Sequence, residues 1–487
     1  MHARKGQSGD DGSDEALLHH LEREKASAGP KSTSRLASLD GRRLLFATCA
    51  CLAAASLFGL LSVMIWTNQG KSQIMLEHEA HLDNPSSDNT EKWLPSAAVI
   101  GPPTHSFRDN LRNDTKYVTS WPSAGWTNDV MTYANLIYLA QLTGRVPVVP
   151  PFVPSHIGGD AGSIAFGEVF NTTRLGELIG IPVIEWQDVK QPGSDYDDEI
   201  GCWDVWQSTQ YSEDYPRRSG VPDALNLDIS YTKTPEWVKL IPGEINDKHA
   251  TFWALASLGF PNVRNRELVP PRPSDKHGVM LPPDEHMLCY DYLYYVCAQN
   301  PFEYGYDYSP AWRFAAQHMH WTNWLEELSE WYVRQALKIE IGAPTPPYIS
   351  IHVRHHDFQV YCEDLPLADC FAPISAIARR VQEVKEELLL KQGLDVKHII
   401  MTSDEDDPAW WAEVYAQGWK APDHSKTATE YGRWYPVLVD AVIQSNGRGF
   451  VGTDRSTMSE MAKRRSESWH NGVTRMVRWG HIGADDH

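Results

Sequence analysis

Pro347-Tyr348-Ile349-Ser350-Ile351-His352-Val353-Arg354-His355-His356-Asp357-Phe358 is the stretch on which the reading of this chain turns. The β-branched and aromatic run over 348–353 predicts a buried parallel strand. The His-x-Arg that closes the run then projects from the strand's carboxyl end, which is where open α/β sheets bind ligands. A guanidinium there is a rigid, permanently charged fork that matches phosphate oxygens. The plainer alternative is an Arg354–Asp357 salt bridge capping the strand.

Toward the carboxyl terminus, periodicity predicts helix 373–391, strand 398–402, helices 408–417 and 434–444, strand 449–452 and helix 456–465. Strands alternating with helices build a parallel sheet. The last strand passes through Gly452-Thr453-Asp454-Arg455-Ser456-Thr457 into its helix, so hydroxyls and backbone amides converge on one point. Such a terminus holds phosphate without a metal. Simple capping by Ser456 or Thr457 accounts for the same residues, and the two roles are compatible.

Toward the amino terminus, 311–340 reads as one long helix or two in succession, and 342–347 as a Pro-rich break. Further back lies a second α/β unit: strand 116–120, helix 127–142 with Val130, Ala134, Ile137 and Ala140 inward, and strand 145–149. The loop Trp121-Pro122-Ser123-Ala124-Gly125-Trp126-Thr127-Asn128 delivers Gly125 and polar residues to a helix N-terminus, a ready anion site. Capping by Thr127 is its plain alternative. The Pro- and Trp-studded stretch 201–308 reads as a loop-rich insertion that shapes a groove.

Composition sets the class. The 487 residues are 42% hydrophobic, enough for two or three domains, and 19 Trp imply aromatic cores and a surface suited to sugars. A net charge of −20 argues against a nucleic-acid partner, so an anionic ligand requires Arg and Lys gathered locally. Residues 44–66 carry no charge, are long enough to span a bilayer, and follow Arg35, Arg42 and Arg43. They read as the signal anchor of a single-pass type II membrane protein, with the amino-terminal side cytosolic and the rest luminal. The chain then divides into a disordered tail (1–43), the transmembrane anchor (44–66), a stem (67–92) and two α/β domains (93–343 and 344–487). Asn113 and Asn171 stand in glycosylation acceptor patterns. Five cysteines follow the anchor. The two close pairs, Cys289 with Cys297 and Cys362 with Cys370, are expected to be disulfides, leaving Cys202 unpaired.

His352-x-Arg354-x-x-Asp357-Phe358, the Gly452-x-x-x-Ser456-Thr457 loop and Asp440 ahead of it together resemble the GDP-fucose protein O-fucosyltransferases. The resemblance implies two Rossmann-like domains facing a cleft, of the GT-B glycosyltransferase type, and transfer of fucose from GDP-fucose to a protein or glycan hydroxyl with inversion. It implies no cofactor and no obligatory metal. By the same resemblance Arg354 binds the β-phosphate and neutralises the leaving GDP, His352 contacts the nucleotide, Asp440 takes hydrogen bonds from guanine, and Ser456 and Thr457 hold phosphate oxygens. In the amino-terminal loop the family pattern keeps only Gly125 and Asn128. Position 124 is Ala, so neither the phosphate-binding Arg nor the carboxylate base of some relatives is present, and Asn128 is left to position acceptor or donor. The anchor resembles that of Golgi members, with the endoplasmic reticulum as the other luminal address.

Two patterns point elsewhere. Gly447-Arg448-Gly449-Phe450-Val451-Gly452 matches a dinucleotide fingerprint but precedes a strand instead of following one. Asp404-Glu405-Asp406 resembles the metal-binding Asp-x-Asp of other glycosyltransferases, and an acidic turn capping the helix at Pro408 explains it equally. His355 and His356 read as solvated loop histidines. The rival functions are therefore a metal-dependent transferase using Asp404 and Asp406, and a catalytically silent lectin-like or scaffolding protein.

Overall fold

The computed structural model describes residues 91–155, 157–210 and 214–486, and the expected tail, anchor and all but the end of the stem lie outside them. Among the described residues no helix is long and apolar enough to cross a membrane. The strands in chain order are β1 (Tyr117–Ser120), β2 (Val146–Val149), β3 (Ile184–Glu185), β4 (Asp198–Asp204), β5 (Leu227–Lys233), β6 (Ala250–Thr251), β7 (Met287–Tyr290), β8 (Val296–Cys297), β9 (Tyr348–Val353), β10 (His398–Ser403), β11 (Gly449–Thr453) and β12 (Val473–Val477). They form a mixed α/β structure with parallel sheets: six strands ordered β3-β2-β1-β7-β4-β5, four ordered β10-β9-β11-β12, and the pair β6-β8. The helices used below are α1 (Trp126–Thr143), α2 (Asn323–Leu337), α3 (Ile374–Gln392), α4 (Pro408–Ala416), α5 (Tyr435–Asn446) and α6 (Thr457–His470).

β9 is buried at every residue because both faces of its sheet are covered. Ile349, Ile351 and Val353 pack against Ile377, Val381 and Val384 of α3. Tyr348 turns the other way, toward Leu328 and Tyr332 of α2 and Val439 and Ile443 of α5. Two hydroxyls tie this face to α5: Tyr348 donates to the Ile443 carbonyl at 2.9 Å and Ser350 to that of Gln444 at 2.9 Å. The dinucleotide-like glycines prove to be packing glycines. A Cβ on Gly449 would stand 2.4 Å from Val384 of α3, and one on Gly452 2.7 Å from the Ser459 Cβ of α6.

The two larger sheets share one apolar core. Val130, Ala134, Ile137 and Leu139 of α1 belong to the same buried cluster as Leu438 and Val442 of α5 and Met461 of α6. Arg465 of α6 is buried in it with its guanidinium over the Trp321 ring at 4.3 Å, and burial pushes its pKa down to about 9.

Several expectations need correction. The stretch 201–308 is more than an insertion: it completes β4 and supplies β5 and β7, and β7 lies at the centre of the first sheet between β1 and β4. β12 extends the second sheet beyond the last expected helix. Residues 311–340 take the second of their two expected forms, two helices in succession, Pro310–Phe314 and α2, with a 3-10 turn after the first. The cysteine pairing also changes. Cys362–Cys370 is a disulfide, but Cys289 pairs with Cys202, and Cys297 is free and buried. β4 and β7 are neighbours with Trp203 opposite Tyr290, so Cys202 and Cys289 stand side by side with Cα atoms 4.5 Å apart. Cys297 lies on β8, in another sheet, against the Ala250 carbonyl.

Peptide mapping under non-reducing conditions should therefore join Cys202 to Cys289, with Cys297 alkylated only after unfolding. The bridge closes a separation of 87 residues, so Cys202→Ala should lower unfolding stability by about 2–5 kcal/mol in denaturant titrations.

Candidate functional site

The second sheet has a topological switch point. From β9 the chain moves through α3 to β10 on one side, then crosses to β11 on the other. Ligand crevices of α/β sheets open at the carboxyl ends of such strands, here Val353 and Thr453. α6 starts just after β11, as α1 starts just after β1 in the first sheet, and the two N-termini meet. Thr127 Oγ1 and Thr457 Oγ1 are 2.7 Å apart. Around this contact opens a cleft of about 750 Å³ lined by Gly125, Thr127, Asn128, His352, Arg354, Ser456 and Thr457. Trp126, Val153, Ser155, Ile157, Asp357, Phe358, Trp434, Val437 and Met458 complete its walls.

α1 begins with Gly125 at its N-cap and no side chain capping it, so Thr127 is not the cap. α6 does have a cap: Ser456 Oγ accepts from the Ser459 amide at 3.4 Å. Each N-terminus carries a partial positive charge, and both lie at one cleft. Asn128 contributes a different feature, a buried Oδ1 without a hydrogen-bond partner. A buried acceptor of that kind is costly unless a ligand or water donates to it.

The Arg354–Asp357 salt bridge is present. Asp357 takes both Nε, at 2.8 Å, and one terminal nitrogen, at 2.9 Å. Asp404 takes the other at 3.0 Å. The two carboxylates differ in freedom. Asp404 is 17% exposed and also accepts the amides of His355 at 2.8 Å and His356 at 3.2 Å, whereas Asp357 is 43% exposed. An incoming phosphate displaces Asp357 more easily than Asp404.

The acidic run is thus committed to donors of its own protein. Asp404 holds Arg354 and two amides, Glu405 bonds His355 Nδ1 at 2.6 Å, and only Asp406 is left to solvent, 88% exposed. Oxygens so engaged do not converge on an open cation position. His355 also departs from its expected solvated state, being buried and stacked on Phe371 with centroids 4.2 Å apart. His356 does stand half exposed.

His352 is 5% exposed, and burial, with the Arg354 and His355 charges adding, pushes its pKa down to about 3. It is a neutral imidazole at any physiological pH. Its Nδ1 lies 2.7 Å from Ser459 Oγ. Asp440 is not among the cleft-lining residues. It sits one turn along α5 from Val437, and His424 Nε2 holds its carboxylate at 2.9 Å. Burial would lower the His424 pKa, but the Asp440 bond and charge outweigh it and raise it.

The amino-terminal wall has its own scaffold, which sequence reasoning missed. Asp129 Oδ1 accepts the Ser123 and Ala124 amides, each at 3.1 Å, and fixes the loop before α1. Arg217 grips the same loop through Ser123 Oγ at 3.2 Å and the Ser123 carbonyl at 3.1 Å. Arg217 is in turn seated by its amide on Asp291 at 3.2 Å. Asp291 follows β7, Asp204 ends β4, and the two buried carboxyls share a hydrogen bond. Burial raises the Asp291 pKa as well, and the amides it accepts from Val205, Trp206 and Arg217 work against that and favour the carboxylate there. Burial, then the Asp291 charge, pushes Asp204 up to about 8, so Asp204 keeps the proton. Nothing in the linear sequence marks residues 291 and 204 as partners.

No family model and no curated protein matches the chain. Among solved structures it is similar to POFUT1 in complex with GDP-fucose, at 15% identity and TM-score 0.46 over 76% of this chain and 99% of that one. It is also similar to NodZ α-1,6-fucosyltransferase soaked with GDP-fucose, at 13% identity and TM-score 0.37 over 75% and 95%. The fucosyltransferase NodZ from Bradyrhizobium gives 12% identity and TM-score 0.34 over 72% and 93%.

The carboxyl pair has a pH signature. The folded chain holds a proton on Asp204 that the unfolded chain releases near its ordinary value of 3.8, so this pair lowers stability as pH rises from there through about 8. Asp204→Asn keeps the shape and removes the titration. Urea unfolding at pH about 5 and about 9 should show the variant gaining stability relative to wild type at the higher pH.

Proposed function

We propose that this chain is a glycosyltransferase that takes fucose from GDP-fucose and transfers it, with inversion and without an obligatory metal, to a hydroxyl of a protein or glycan acceptor. The observation that carries the proposal is the meeting of two helix N-termini, Thr127 against Thr457 at 2.7 Å, beside Arg354 at a sheet switch point. The motif resemblance around His352, Arg354, Ser456 and Thr457 selects GDP-fucose among nucleotide sugars. Residues 93–343 form the acceptor side and 344–487 the donor side. On this reading the 44–66 anchor holds both in the Golgi or endoplasmic-reticulum lumen, where Asn113 is exposed for glycosylation, while Asn171 is half-buried with its Oδ1 accepting the Arg174 amide at 2.9 Å.

Cleavage of the bond between fucose and phosphate builds positive charge on the sugar and negative charge on GDP. Fixed donors near the phosphate stabilise that separation more than the ground state. Arg354, the Ser456 and Thr457 hydroxyls and the α6 N-terminus supply them. Asp440, a turn from Val437, receives the guanine. The acceptor hydroxyl donates to Asn128 Oδ1, attacks the anomeric carbon from the face opposite GDP, and releases its proton to solvent. A neutral imidazole with a pKa of about 3 is no base, so His352 serves the nucleotide.

Calorimetric titration of the full-length protein with GDP should show binding that EDTA leaves unchanged and UDP does not match. Arg354→Ala should weaken it about 10- to 100-fold, the worth of a hydrogen bond to a charged group. Binding only to UDP with a divalent metal would put the Asp404-centred transferase in its place. Absence of nucleotide binding would leave the scaffold.

A further inference from the structure

We infer that Ser459 is a positioning residue that fixes the tautomer of His352, so that the imidazole presents an Nε2–H donor to the cleft and never a basic nitrogen. The consequence for GDP rests on the proposed function; the hydrogen-bond assignment does not.

Two contacts and the burial of Ser459 settle the hydrogens. Ser459 Oγ accepts the Thr453 amide at 3.0 Å. The same oxygen lies 2.7 Å from His352 Nδ1. Ser459 is fully buried, so water cannot reach its hydroxyl, and it makes no bond back to the carbonyl a turn earlier, unlike Ser445 of α5, which donates to Ala441 at 2.6 Å. Among the described residues, Nδ1 is then the one acceptor left for the Ser459 proton. The opposite tautomer, with Nδ1–H donating to Ser459, would bury a hydroxyl hydrogen with no acceptor. The ring is neutral, so its single N–H is at Nε2.

The placement is built in from several sides. Thr453 Oγ1 accepts the Arg354 amide at 3.0 Å and donates to the His352 carbonyl at 3.2 Å, which locks β9 to β11 at the residue that carries the ring. Gly452 lets α6 approach until Ser459 reaches Nδ1, because a Cβ there would lie 2.7 Å from the Ser459 Cβ. With Nδ1 occupied, Nε2 is the nitrogen left to the cleft that His352 lines. A donor-only edge takes an acceptor atom, an anionic phosphate oxygen or a sugar oxygen, and rejects the N–H edge of a base.

The test uses full-length protein labelled with ¹⁵N-histidine, the His352 signal being assigned by its loss in His352→Gln. Long-range ¹H–¹⁵N correlation should show the Nε2–H tautomer and no protonation across pH about 5 to 8. Ser459→Ala should mix the tautomers and weaken GDP binding about tenfold. His352→Gln keeps a nitrogen donor near the Nε2 position, and in that background Ser459→Ala should cost little more, since its effect runs through the ring. An Nδ1–H wild-type ring, or an equal loss in both backgrounds, overturns the inference. If Ser459→Ala does not fold, the wild-type tautomer alone decides. An Nε2–H ring in a protein that binds no GDP would uphold the assignment and sink the proposed function.

Discussion

Two helices that point their positive ends at each other repel, and the cleft exists because that repulsion is overridden. The Thr127–Thr457 contact of 2.7 Å brings together termini that each carry about half a unit of charge. What holds them is the apolar core shared by α1, α5 and α6, with Arg465 buried against Trp321 behind it. Burial of several large side chains, at about 1.5–3 kcal/mol each, outweighs a dipole clash of about 1 kcal/mol. The positive field of the two helix ends is therefore a fixed property of the fold, set against the carboxylates that hold Arg354.

Everything else at the site is arranged around that field. His352 cannot add a charge because burial beside Arg354 keeps it neutral, so it contributes direction and not potential. On the other wall, the loop before α1 is held by Asp129 from within and by Arg217 from outside, and Arg217 is seated on the Asp204–Asp291 pair. The carboxyl pair at the ends of β4 and β7 is thus linked through Arg217 to the loop that carries Gly125 and Asn128.

How far this was legible in the sequence depended on whether the deciding contacts were local. β9 could be read to the residue because a strand covered on both faces needs an unbroken apolar run, and 348–353 is one. The α6 cap was legible as Ser456 or Thr457, and the structure makes it Ser456, one residue before the helix begins. β7 could not be read, since four residues among Pro, Asp and Tyr become a central strand only through partners far away in sequence. The cysteines failed for the same reason. Proximity along the chain favoured Cys297 for Cys289, but sheet order puts Cys202 beside it. Ser459 had a signal, a hydroxyl one turn into the helix after a phosphate-type loop, though its partner on β9 is 107 residues away.

Charge near the cleft bears on how a chain of net −20 would admit the diphosphate of the proposed donor. Two helix ends and Arg354 supply about two positive units, and Asp357 with Asp404 remove two, so the empty cleft is close to neutral and does not attract anions indiscriminately. Asp404 cannot leave, because it also holds two backbone amides. Asp357 can, being nearly half exposed and, among the described residues, bonded to the arginine alone. On the proposed reading, a monoanion that displaces it merely replaces one charge by another, whereas a diphosphate brings more charge than it evicts. Under that reading the exchange at Arg354 favours a pyrophosphate, and the acidic residues of the motif act as a filter as well as a cap on the strand.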